Sequence, residues 1–363
     1  MRKQQMHGAD SWYSAGGAEC DVVLSTRVRL ARNLANFPFP AKLRESDGER
    51  IQSIVTDAFN HLEDAGSYHI SSLDGVNPLA IRIFQEKGLL KPDYSEKECG
   101  IVLCSDGKIS CTINTQDHIR IASFSPGFDF DSAFSRAHEV DEGLQRSIQF
   151  AASYDFGYLT SSVMDCGSGL KLSVRVHLPA LSLLGRIASL SGELCAKGLG
   201  FSASYGSGSQ GSSLGAFYQL YSMNSTSGTE FDQVATLAGA CKKLVEAERA
   251  ARDECMKNRL SEVRNIMYRS VALARYSMFV PLRESIELIS GVKFGKEMGF
   301  LAGIEDSTIH GLLYNVQEAH LEYMRKSGDF KFEKDIASDD AKKIERLRAL
   351  ILQENFEDIV LSV

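Results

Sequence analysis

The chain has 363 residues, enough for one large domain or for a large and a small one. Hydrophobic residues make up 44% and charged residues 24%, an ordinary globular balance, and the net charge of -7 gives no reason to expect nucleic acid as the main partner. No apolar run approaches a membrane span, and the opening MRKQQMHGADSW lacks the apolar core of a signal peptide. The cysteines show no C-x-x-C pair and no zinc-like spacing, so the expectation is reduced thiols in a cytoplasmic protein.

Residues 1–20 are polar and read as a loosely held tail, pinned to the body by Trp12, the only tryptophan. From Asp21 onward β-like runs alternate with helical ones. DVVLSTRVRL, GIVLCS, KISCTIN, HIRIASF, LKLSVRVHL and AFYQLYSM read as strands. ESDGERIQSIVTDAFNHLEDA and FDSAFSRAHEVDEGLQRSIQFAASY read as amphipathic helices. Together they predict a sheet carrying helices on one face. From about Phe231 the apolar residues recur at helical spacing, and Pro281 and Gly291 punctuate further helices. KKIERLRAL, residues 342–350, reads as a solvated helix face. The expected division is a tail over 1–20, a catalytic-type domain over 21–255 and a helical domain over 256–363.

STRVRLAR places Arg27 and Arg29 two apart on a strand, so alternation aims both at one face. Adjacent guanidinium forks repel each other unless anions separate them, and a polyphosphate supplies several. Arg120 is a third candidate, and Lys171 and Arg175 share a face of another strand. Each of these cations reads equally well as a surface salt-bridge residue when taken alone. The glycine-serine stretches GYLTSSVMDCGSGL and ASYGSGSQGSSLG lie beside strands and could offer backbone N–H groups to phosphate. Neither has a Walker or G-x-G-x-x-G form.

The order of these segments resembles the ATP:guanido phosphotransferases, in particular the bacterial protein arginine kinases. DVVLSTRVRLARNLANFPFP is similar to the family's S-x-R-x-R strand with L-A-R-N-L and F-P following. INTQDHIRI resembles its N-E-E-D-H strand, GYLTSSVMDCGSGLKLSVRVHLPAL its G-Y-L-T-S-C-P-T-N-L-G-T-G-L-R-A-S-V stretch, and GLGFSASYGSGSQ its R-G-x-Y-G-E-G-S-E loop. The resemblance implies an α+β catalytic domain on an antiparallel sheet flanked by helices, with ATP and Mg²⁺ across the sheet. It also implies an all-helical C-terminal domain that forms a homodimer, and phosphorylation of arginine side chains on protein substrates.

Carried over residue by residue, the resemblance assigns ATP contacts to Ser25, Arg27, Arg29, Arg120, Lys171, Ser173 and Arg175. Ser202, Tyr205, Gly206 and Ser207 are weaker nucleotide-loop candidates. Departures cluster on the chemistry. Thr115 and Gln116 stand at the two glutamates, Ser162 at the cysteine, Gly88 at a nucleotide-contacting histidine, and Gln210 at a further acid of the loop. A guanidinium is protonated at neutral pH, so carboxylates must orient it and take its proton as it attacks phosphorus. Asp155, Asp165 and Cys166 are the nearby groups that could substitute. Two readings stay open: an impaired family member serving as a binding or scaffolding partner, and an active kinase using displaced acids or a changed acceptor.

Overall fold

The computed structural model describes residues 12–91, 98–206, 213–226 and 228–362. Ten strands matter for the site: β1 (Val23–Arg32), β2 (Tyr68–Ser72), β3 (Gly100–Cys104), β4 (Ile109–Ile113), β5 (Ile119–Pro126), β6 (Ala152–Ser153), β7 (Gly157–Tyr158), β8 (Leu170–His177), β9 (Leu199–Ala203) and β10 (Phe217–Ser222). Eight of them form one sheet in the order β2-β3-β4-β5-β1-β8-β10-β9, and every pairing is antiparallel. β6 and β7 make a separate small hairpin.

All six expected strands are present. Within the eight-stranded sheet, the two unanticipated strands, β2 and β9, are its edges. Their faces are only partly covered, so neither YHISS nor LGFSA carries a buried alternation to read. The helix expected over residues 130–154 ends earlier. There Ile148 and Phe150 enter the core two residues apart, which is strand spacing rather than helical spacing, and the β6–β7 hairpin follows.

The helices are α1 (Glu45–Asn60), α2 (Pro78–Glu86), α3 (Phe130–Gln145), α4 (Pro179–Leu183), α5 (Ile187–Cys195), α6 (Glu230–Asn258), α7 (Leu260–Tyr276), α8 (Leu282–Glu297), α9 (Asp306–Asn315), α10 (Glu318–Ser327) and α11 (Asp340–Asn355). α3 starts where the Asp129 carboxylate accepts from Ser132 N, and α6 starts on a Thr229–Asp232 capping box. α1, α3 and α6 cover one face of the sheet, packing Ile51, Val55, Ala137, Val140, Leu237 and Leu244 against Val28, Leu30, Leu172 and Val174. A second apolar cluster joins α7, α8, α9 and α11, and Leu24 and Phe217 tie it to the sheet. The face of the sheet opposite α1, α3 and α6 carries the polar side chains.

Arg348 corrects the expected solvated face of KKIERLRAL. It is buried, and its Nε and Nη1 each donate at 2.8 Å, to the carbonyls of Val316 and Val280. The carbonyls that end one helix and precede another draw this arginine inward, a demand its own helix does not reveal.

Candidate functional site

On the polar face lies a cleft of about 730 Å³, lined by Arg27, Arg29, Ser110, Thr112, Arg120 and Lys171 on strands, with residues 88–91 and the β4–β5 turn beside them. Register brings the cations together. Arg29 stands opposite Lys171 on β8 and Ala122 on β5, and Arg27 opposite Ser173 and Phe124. Directly opposed residues in an antiparallel pair share a face. The guanidinium of Arg27 lies 5.0 Å from the centre of the Phe124 ring. Trp12 stacks on the same ring, with centroids 5.4 Å apart, so Trp12 itself is held beside Arg27.

Neither Arg27 nor Arg29 has a carboxylate partner among the described residues, and the Nε of each is buried without a hydrogen-bond acceptor. Burial, and then the neighbouring cations, push Arg27 well below the usual arginine range. Burial together with Arg120 brings Arg29 down to about 10, against an opposing pull from Asp165. Cations that lose hydration without gaining a directly paired carboxylate are held in a state that an incoming anion relieves.

Arg120 and Lys171 are placed differently. Asp165, 1% exposed, accepts from Arg120 Nη2 at 3.1 Å through Oδ2, and its Oδ1 is ion-paired with Lys171 Nζ at 2.6 Å. Asp117 approaches Arg120 Nε at 3.1 Å from below, and its Oδ1 also accepts from Asn33 Nδ2 and from Ser161 N. Gln116 Oε1 accepts from Arg120 Nη1 and from Lys91 Nζ, both at 2.7 Å. Thr115 Oγ1 lies 2.9 Å from Thr112 Oγ1.

Thr115 and Gln116 are therefore not on a strand, as the motif suggested. β4 ends at Ile113 and β5 begins at Ile119, with Asn114 in the left-handed region at φ 54°. The turn lets consecutive residues face one cleft, which strand alternation would forbid. Asn114 holds it by donating to the carbonyls of Gly48 and Glu98.

The remaining candidates divide. Ser202 lines the cleft. Ser25 stands opposite Arg175 on the same face, but Ser25, Ser173 and Arg175 are not among the lining residues. Arg175 Nη1 donates to the hydroxyls of Tyr205, at 3.1 Å, and Tyr314, at 3.3 Å. Gly206 sits past the end of β9 at φ 85°, while Ser207 and Gln210 lie outside the described residues. Ser162 precedes the short 3-10 turn Val163–Asp165, and Cys166 is turned back on Thr160, 3.5 Å from its Oγ1. Asp155 is exposed at the tip of the β6–β7 hairpin. Gly88, at φ 70°, would set a Cβ 4.0 Å from Arg27 Nη1, so a side chain there would overlook the Arg27 end of the cleft. Lys91 was not legible as a site residue, although it lies three residues past Gly88. The described residues contain no group of three or more His, Cys, Asp or Glu side chains suited to a metal ion.

An antiparallel sheet with helices on one face and a row of arginines on the other is the frame of a guanido kinase. The sequence model of "ATP:guanido phosphotransferase, C-terminal catalytic domain" matches residues 50–251, and the chain belongs to this family. Within it, the chain is a member of the bacterial protein arginine kinase group. The protein-arginine kinase of Halothermothrix orenii is 31% identical over 327 residues, spanning 90% of this chain and 93% of its own length. That of Desulforamulus reducens is 32% identical over 330 residues, spanning 90% and 92%. Solved structures of lower identity share the fold. Lombricine kinase superposes with a TM-score of 0.56 at 20% identity, over 65% of this chain and 68% of that one. The substrate-free duplicated taurocyamine kinase from Schistosoma mansoni gives 0.56 at 21% identity, over 65% of this chain and 35% of that duplicated chain.

Proposed function

We propose that this chain is a catalytically impaired protein-arginine-kinase-like protein, one that holds nucleotide phosphates and acts as a binding or scaffolding partner of another protein. The observation that carries this reading is the state of the acceptor end of the cleft. Where the family motif has two glutamates, Thr115 is bonded to Thr112, and Gln116 presents its oxygen to Lys91 and Arg120. An amide can hydrogen-bond a guanidinium but cannot take its proton, and general-base assistance is worth roughly two to four powers of ten in rate. Two cations on the same oxygen further disfavour an arginine side chain there.

The phosphate end supports nucleotide binding. Arg27 and Arg29 are unpaired among the described residues, with buried Nε groups lacking acceptors, a donor set suited to phosphate oxygens. These residues fit ATP better than a bare metal ion. Mg²⁺ arriving with nucleotide would be carried on the phosphates and would neutralise part of their charge. A second reading, an active kinase with a displaced acid, draws on Asp165, buried beside the cleft-lining Arg120 and Lys171. Both of its oxygens are already ion-paired with those cations, which argues against it as the acceptor's base.

Titration of ATP·Mg by calorimetry tests the first part, with Arg27→Ala expected to weaken binding at least tenfold, the scale of a lost charged hydrogen bond or two. A phosphotransfer assay on arginine-bearing protein acceptors tests the second. Transfer by the wild type at an ordinary kinase turnover of about 1 s⁻¹ or more would overturn the impaired reading. We also infer a homodimer through the C-terminal helices. Tyr276 and Leu350 are exposed there on a groove of about 710 Å³. Sedimentation showing a monomer at tens of micromolar would dismiss it.

A further inference from the structure

Resting on the nucleotide reading above, we propose that Asp165 is an internal competitor for polyphosphate, a carboxylate that occupies the anion position between Arg120 and Lys171 until a ligand displaces it. The cleft is divided electrostatically. Arg27 and Arg29 face it without a counterion among the described residues, whereas Arg120 and Lys171 are bridged by Asp165 at 3.1 and 2.6 Å. Arg29 stands directly opposite Lys171 across β1 and β8, so the open and the closed halves adjoin. A ligand with a single phosphoryl group can be satisfied by the open half. A triphosphate long enough to reach the other half meets cations already neutralised.

The support of Asp165 suits a displaceable group. It is the last residue of the 3-10 turn Val163–Asp165, and its side chain points inward while Val163 is 81% exposed and Met164 51% exposed. The turn is held by the Asp165 N to Ser162 O bond at 2.9 Å and by Ser225 N donating to Met164 O at 2.9 Å. Apart from these backbone bonds, the side-chain anchors of Asp165 are the two cations that a polyphosphate would claim. A ligand of higher charge can replace one carboxylate with several oxygens while the turn swings outward.

The consequence is selectivity set from within. The wild type should discriminate little between mono- and triphosphate, and removing the carboxylate should tighten triphosphate binding specifically. Inorganic tripolyphosphate, inorganic phosphate and ATP·Mg are titrated into the full-length wild type, Asp165→Asn and Asp165→Ser. Calorimetry is read alongside the fluorescence of Trp12, which stacks on the ring beneath Arg27. The variants are expected to bind tripolyphosphate about tenfold or more tightly, with a steeper loss of affinity in salt as more cations engage, and to gain little for phosphate.

A double-mutant cycle gives an independent readout. Lys171→Gln should weaken tripolyphosphate binding several-fold more in the Asp165→Asn background, where nothing competes for the ammonium, than in the wild type. Unchanged or weaker tripolyphosphate binding by a folded Asp165→Asn protein would overturn the inference, and so would a Lys171→Gln effect as large in the wild type as in Asp165→Asn. Either result, with Arg27→Ala still abolishing ATP binding, leaves the nucleotide reading standing. No binding of any phosphate by the wild type or the folded variants sinks both.

Discussion

Three arginines on one strand meet two different fates, and alternation explains the division. Arg27 and Arg29 face the cleft, while Arg32 turns to the helix side, where Asp141 of α3 accepts from it at 2.9 Å and the Tyr158 ring lies 3.7 Å away. Replacing Arg32 by Met leaves Asp141 buried without a counterion, and breaking such a pair costs about 3–5 kcal/mol. Urea unfolding of Arg32→Met should show a loss of that order, and a change under about 1 kcal/mol would contradict the arrangement. The opposite sign is expected at the cleft. Arg27→Ala removes a half-buried cation that has no carboxylate partner among the described residues, against the loss of its contact with the Phe124 ring, so its melting temperature should hold or rise, even as phosphate binding is weakened. A drop of several degrees would show that Arg27 supports the fold. Strand spacing alone made the shared face of Arg27 and Arg29 legible. It could not tell them from Arg32 in function, because Asp141 lies 109 residues further on and only the packed helix reveals it.

Among the elements, the central strands were readable because burial on the helix side imposes strict alternation, as in Val28 and Leu30 against Arg27 and Arg29. The β4–β5 turn was not, since its conformation depends on Asn114 reaching the carbonyls of Gly48 and Glu98, residues distant in sequence. Nor was the pairing of α3 with the start of α6 readable. His138 of α3 lies 2.8 Å from a Glu230 carboxylate oxygen in the first turn of α6. Burial by itself would lower the histidine, but the bond to Glu230, with help from the Phe134 carbonyl, raises it above its ordinary value. A raised folded value means that the folded state holds the proton more tightly than the unfolded chain. The resulting stability is present in full below about pH 6.5, the ordinary histidine value, and fades as pH rises through the folded one. His138→Gln should therefore cost more at pH 5.5 than at pH 8.5 when both are measured by urea unfolding. An equal cost at the two values would show that the contact carries no proton linkage.

At the scale of the whole molecule, the cleft draws its walls from parts of the chain far apart in sequence, and several residues that depart from the family pattern line it. Residues 88–91 close one side, and the helix before them is docked onto the C-terminal half. Glu86 accepts from Ala319 N and His320 N at the start of α10, and Arg82 pairs with Glu322 at 2.8 Å. Lys91 is thereby held where it can reach Gln116. On the impaired reading proposed above, placing acids at 115 and 116 alone should not raise transfer. In Thr115→Glu/Gln116→Glu, the new carboxylate at 116 enters the position where Lys91 and Arg120 already converge at 2.7 Å, and it will pair with them before any acceptor guanidinium arrives. The expected outcome is a higher melting temperature, from charged hydrogen bonds worth about 1.5–3 kcal/mol, with transfer to arginine-bearing acceptors no faster than in the wild type. A rise in transfer of two powers of ten or more, the worth of a working general base, would place the whole lesion at Thr115 and Gln116. It would show that Gly88, Ser162, Ser202 and the Asp165 bridge are compatible with catalysis.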